Sequence, residues 1–208
     1  MDYWLLPLLV LECWALYLGQ RQIFPLTEQR LGRIPAFILA APGTVLHELS
    51  HYFLCKLLGV QTGRVSLFRP QQTEDGFTLG YVEHAQSDPI RRVLISVAPL
   101  LLVPPLLLLC TFALFGSEVF SDPINALKQG SWWAIFFWIY LTASAGQGAF
   151  PSVGDHIGIS GIIVLVLLAI AIFWLIPAGQ LLALLQILVL ILALPSASAI
   201  FSLLLLRR

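Results

Sequence analysis

The sequence predicts an all-α polytopic membrane protein of about six transmembrane helices, with a small β-hairpin between the second and the third. Three observations carry that prediction. Of 208 residues, 59% are hydrophobic and only 11% charged, with mean hydropathy +0.90, which takes the chain out of the ordinary soluble class. Apolar runs close to the length of a bilayer crossing, about 20 residues for a core of about 30 Å, recur along the chain. One segment, residues 61–92, breaks the pattern with charge, turn residues and strand-like alternation. Eleven Lys and Arg balance eleven Asp and Glu, so no basic surplus points to nucleic acid and no acidic tail is present.

The spans are expected at about 3–19, 34–60, 93–115, 131–150, 157–177 and 180–205. The first follows Met1-Asp2-Tyr3-Trp4, which lacks the positive n-region of a secretory signal, so it is expected to be retained. It carries Glu12, which at membrane depth needs a polar partner or a wet cavity. Between the second and third spans, Val65-Ser66-Leu67-Phe68 and Phe77–Glu83 have strand character, and residues 71–76 form the turn. That hairpin is expected to serve as a solvated connector, or as a gate or template for an extended substrate strand.

Trp132, Trp133, Trp138 and Tyr140 near the fourth span suit interfacial anchoring and packing. The last two spans are separated by Pro177-Ala178-Gly179, and Pro195 interrupts the final run, so five spans is the alternative count. Cys13, Cys55 and Cys110 sit singly in apolar runs and read as packed side chains. Lys56, Arg64, Arg69, Arg91, Arg92, Arg207 and Arg208 on one set of loops outnumber Arg21, Arg30, Arg33 and Lys128 on the other. The excess places residues 61–92 and the C-terminus in the cytoplasm of a multi-pass protein of the cell membrane.

The second span contains His47-Glu48-Leu49-Ser50-His51, an HExxH motif. On a helix, residues four apart share a face, so His47 and His51 can aim two imidazole nitrogens at one Zn²⁺, with Glu48 beside the activated water as general base. A charged group at the bilayer centre costs roughly 2.5–3.5 kcal/mol on insertion scales, so such a cluster in an apolar run calls for a function. The bland account, two core histidines bonded to neighbours, suits a soluble helix better than a lipid-embedded one.

A catalytic zinc takes three protein ligands and keeps a position open. Asp155 is the first candidate for the third. It lies in the Gly- and Pro-punctuated stretch 146–156, where non-helical backbone can line a cavity at membrane depth. His156 is the alternative, as ligand or as hydrogen-bond partner of Asp155. Both also fit a plain helix N-terminus, where an acidic residue offsets the dipole.

Leu46–Tyr52 followed by Leu57-Leu58-Gly59-Val60 resembles the HExxH helix of the site-2 protease family of intramembrane zinc metalloproteases. Residues 64–84 look like that family's β-hairpin, and Val97-Ala98-Pro99-Leu100 is a partial counterpart of its Ala-Gly-Pro stretch. The family's third ligand is an Asp in an Asn-Pro…Leu-Asp-Gly pattern. Phe150–Asp155 keeps the Pro and the Asp but lacks the Asn, the Leu and the Gly, as a divergent branch would. The likeness covers about residues 36–160.

The resemblance implies a single membrane-embedded metalloprotease-like domain over residues 1–208, without the PDZ module of many members. It also implies zinc-dependent endopeptidase activity on a transmembrane or membrane-proximal protein in the bilayer. The competing expectation is a non-proteolytic membrane protein that retains a structural or partner-binding metal site.

Overall fold

A computed structural model describes residues 5–73, 76–120, 122–150 and 178–207. The chain opens with α1 (Leu5–Leu31) and α2 (Arg33–Leu57), which meet at Gly32, whose φ of 90° few other residues adopt. Four short strands follow: β1 (Thr62–Ser66), β2 (Gln71–Thr73), β3 (Gly76–Thr78) and β4 (Tyr81–His84). They form two antiparallel two-stranded sheets, β1 with β4 and β2 with β3, so one long hairpin is paired at its base and again near its tip.

The chain then becomes helical again, through α3 (Pro89–Ser96), α4 (Ala98–Phe115), a 3₁₀ turn (Ser117–Phe120), α5 (Pro123–Gln129), α6 (Trp132–Gly148) and α7 (Ala178–Arg207). α3 starts where it does because Asp88 caps it: its Oδ1 accepts from the N–H groups of Ile90 and Arg91, and Pro89 occupies the first turn, where its missing N–H costs nothing. The N–H donated by Arg91 holds the Asp88 carboxyl below the usual carboxylate range, with the Arg91 charge and the Ile90 N–H adding to it.

α1 packs chiefly on α7, and α2 on α6. Their shared core holds Leu16, Ile23, Val103, Leu107, Ala145 and Ala199. A smaller cluster of Cys55, Val60 and Ile95 closes the end of α2 against α3. All three cysteines are free thiols. Trp138 donates its indole N–H to Thr111 Oγ1 on α4, and Tyr140 donates its hydroxyl to the Ile38 carbonyl on α2, so these two rings pin α6 to its neighbours. Trp132 and Trp133 are exposed at the start of α6.

The expected six-span architecture is not what the structure shows. Among the described residues one helix, α4, is long and apolar enough to cross a membrane; the apolar stretch Leu192–Leu206 is shorter. The reasons are local. α1 runs on to Leu31 through Gln20-Arg21-Gln22, and α2 contains two His and a Glu of the motif together with Pro42 and Gly43. α6 has 17 residues, and the expected third span breaks at Val97 into α3 and α4. The expected fifth span lies outside the described residues. The sidedness argument from Lys and Arg, which needed six alternating loops, falls with the count.

Candidate metal centre

His47 and His51 are four residues apart on α2, and the helix puts them on one face with ring centroids 4.7 Å apart and Nε2 atoms 3.1 Å apart. What fixes the rings is supplied from outside α2. His47 Nδ1 lies 2.8 Å from the Gly148 carbonyl and His51 Nδ1 lies 2.7 Å from the Ile95 carbonyl. A carbonyl oxygen only accepts, so each Nδ1 carries a hydrogen and the two Nε2 atoms face each other at hydrogen-bond distance. That contact is made either by a proton shared between the rings, one of them then imidazolium, or by a metal ion bound to both lone pairs. Two nitrogens bound at about 2.0–2.1 Å to a tetrahedral zinc stand about 3.3 Å apart, so the pair is set close to a zinc bite. Nδ1–H bonded to a backbone carbonyl is also the usual support of a metal-ligating histidine.

Local sequence explains why both carbonyls are available. Gly148 is the last residue of α6, where terminal carbonyls have no donor within their own helix. It reaches His47 because α2 and α6 approach backbone to backbone. A Cβ on Gly148 would collide with the Gly43 carbonyl, a Cβ on Gly43 would collide with the Ser144 carbonyl, and Gly43 N–H donates to Ser144 Oγ at 2.6 Å. Ile95 lies in the last turn of α3. The residue four further on, whose N–H would continue the helical ladder onto the Ile95 carbonyl, is Pro99, which has none. The break between α3 and α4 thus presents an acceptor to His51.

Glu48 follows His47 and is 8% exposed. Its side chain meets the hairpin at Gly80, in the connection between β3 and β4. A groove of about 430 Å³ opens beside it between α2 and β1, lined by Leu49, Tyr52, Thr62, Gly63, Val65 and Leu67. β1 pairs with β4 alone among the described strands, and its Thr62, Gly63 and Val65 line the groove.

The other expected participants fare differently. Asp155 and His156 both lie outside the described residues. Among the described residues no group of three or more His, Cys, Asp or Glu side chains is placed to hold a metal, so the structure brings together His47 and His51, with Glu48 next to them, and no third ligand. Glu12 is buried on α1 with its Oε2 lacking a hydrogen-bond partner among the described residues, and it does not join the histidine pair. His84 is exposed at the end of β4. Sequence reasoning missed the two carbonyls that orient the rings. Pro99 was a usable signal for one of them, and the small residues at 144–148 for the other.

No protein-family model matches the chain, and neither a curated protein nor a solved structure matches it.

Proposed function

We propose that this protein is a zinc-dependent endopeptidase of the site-2 protease type, acting on a peptide bond of a transmembrane or membrane-proximal protein. The observation that carries the reading is the histidine pair: Nδ1 atoms tied to carbonyls, Nε2 atoms converging at 3.1 Å, and a buried glutamate one residue along the same helix. His47 and His51 would hold the zinc, with Asp155 as the proposed third ligand. Bound there, zinc would supply Lewis-acid polarisation of the scissile carbonyl and lower the pKa of the attacking water. Glu48 takes the proton from that water on its carboxylate and returns it to the leaving amine.

A helical peptide bond hides its carbonyl in the backbone ladder, so the substrate must be extended before attack. The groove between α2 and β1 suits an extended segment, and β1 has one edge unpaired among the described strands to which such a segment's N–H and C=O groups could add. The setting is the cell membrane. α4 is the helix suited to the bilayer, and Val10, Trp14, Ile34, Phe53, Phe136, Phe201 and Leu204 present large apolar surfaces outward from the other long helices.

The experiment is a comparison of wild type with Glu48→Gln. The variant should keep its zinc and lose cleavage of a labelled single-span transmembrane peptide by about 10²–10⁴-fold, the contribution of a positioned general base. Equal cleavage rates would sink the peptidase reading and leave a structural or partner-binding metal site.

A further inference from the structure

The hairpin closes directly on Glu48. A Cβ built on Gly80 would lie 2.8 Å from Glu48 Cγ, 2.8 Å from the Leu67 carbonyl oxygen and 2.9 Å from that of Ser66. The glycine is therefore wedged between the α2 side chain and the opposite limb of its own hairpin, and no L side chain fits there without moving one of them. Around this point the two limbs are tied together: Arg69 N–H donates to the Leu79 carbonyl at 2.6 Å, and Ser66 pairs with Tyr81.

Three residues before Gly80, the hairpin is fastened to the helices. The Phe77 ring lies edge-on to Phe37 of α2, with centroids 5.4 Å apart, and edge-on to Phe24 of α1 at 6.2 Å. Phe24 and Phe37 stack on each other at 5.8 Å, and the Arg33 guanidinium stands 5.4 Å from the Phe77 centroid. This clasp fastens Phe77 to α1 and α2, and three residues on Gly80 meets Glu48. The histidines are held by quite separate groups, the Gly148 and Ile95 carbonyls.

Resting on the reading of Glu48 as the general base, we propose that Phe77–Gly80 is a clasped cover that fixes the Glu48 side chain, with Gly80 a positioning residue and Phe77 the clasp. The cover acts on the base and leaves the metal pair alone. Loosening it exposes Glu48 and slows turnover while zinc affinity stays constant.

The test uses the full-length chain in detergent as wild type, Gly80→Ala, Phe77→Leu and Gln129→Ala. Gln129 is the control because it is exposed on α5, which packs on the 3₁₀ turn and belongs neither to the hairpin nor to the groove. Three quantities are measured: labelling of Glu48 by a water-soluble carbodiimide with glycinamide, read by peptide mass spectrometry; zinc affinity by chelator competition; and kcat and KM on a labelled single-span transmembrane peptide. Gly80→Ala should label Glu48 faster and lower kcat on the order of tenfold to a hundredfold, as for a misplacement of about 1 Å, at unchanged zinc affinity. Phe77→Leu should shift both in the same direction by less, and it serves should Gly80→Ala fail to fold. Gln129→Ala should match wild type.

Equal Glu48 labelling in wild type, Gly80→Ala and Phe77→Leu overturns the proposal, as does a fall in zinc affinity that accounts for the fall in kcat. A labelled single-span transmembrane peptide left intact by zinc-loaded wild type overturns the peptidase reading, and with it the kinetic role of the cover; the labelling contrast then decides whether the cover exists.

Discussion

Two sides of the same helical turn are held by different means. On the side proposed for the metal, His47 and His51 are gripped by carbonyls from the ends of α6 and α3, where each helix packs into an apolar cluster. On the side proposed for the base, Glu48 meets a hairpin whose sheets have two strands each and whose attachment to the helices is an aromatic clasp. Isolated two-stranded pairs are marginal in water, so the base side is the part of the site able to open. The difference fits the chemistry proposed. Metal ligands must be rigid to hold a cation, whereas a polypeptide has to reach the base from outside.

The largest expected contrast is between His51→Ala and Glu48→Gln. The first removes one of two described nitrogen donors and should abolish stable zinc binding together with cleavage. The second should abolish cleavage alone. Zinc analysis of both purified variants checks this, and parallel behaviour would erase the distinction between the two sides.

A smaller effect is expected from Pro99→Ala. It restores an N–H four residues after Ile95, which competes with His51 Nδ1 for the same carbonyl. Loss of such a support should weaken zinc binding by about tenfold, at the low end for partners of metal-bound histidines. Chelator competition measures it, and unchanged affinity would show that His51 does not depend on the freed carbonyl.

The smallest concerns Asp88, which caps the helix that carries Ile95. Its carboxyl titrates below its ordinary value in the folded chain, chiefly because the Arg91 N–H donates to it. The stabilisation is therefore fully present above the ordinary carboxylate range and is lost as pH falls through the lowered value. The protection of the Ile90 and Arg91 amides, their exchange rate relative to the intrinsic rate at the same pH, should fall on acidification in wild type and lose that dependence in Asp88→Asn.

The juxtaposition of His47 and His51, with Glu48 beside them, was legible because residues four apart share a helix face whatever surrounds them. The hairpin was legible from turn residues between two strand-like runs, although its division into two short sheets was not. The span count failed because apolar runs were read by composition, whereas the helices continue through polar residues, as α1 does past Arg21, or break at a proline, as α3 does before Pro99. The carbonyl partners were illegible for a different reason. They depend on which helix ends meet which side chains, and that is decided by close contacts such as Gly43 against Ser144, far apart in sequence.

The central claim, that the HELSH turn is a zinc site, is tested most directly by the zinc content of the purified wild-type chain against the His47→Ala/His51→Ala double variant. The account predicts about one zinc per wild-type chain and essentially none in the double variant, as expected when both histidine donors are removed. Zinc-free wild type under zinc-replete expression, or equal zinc in the two proteins, would contradict it.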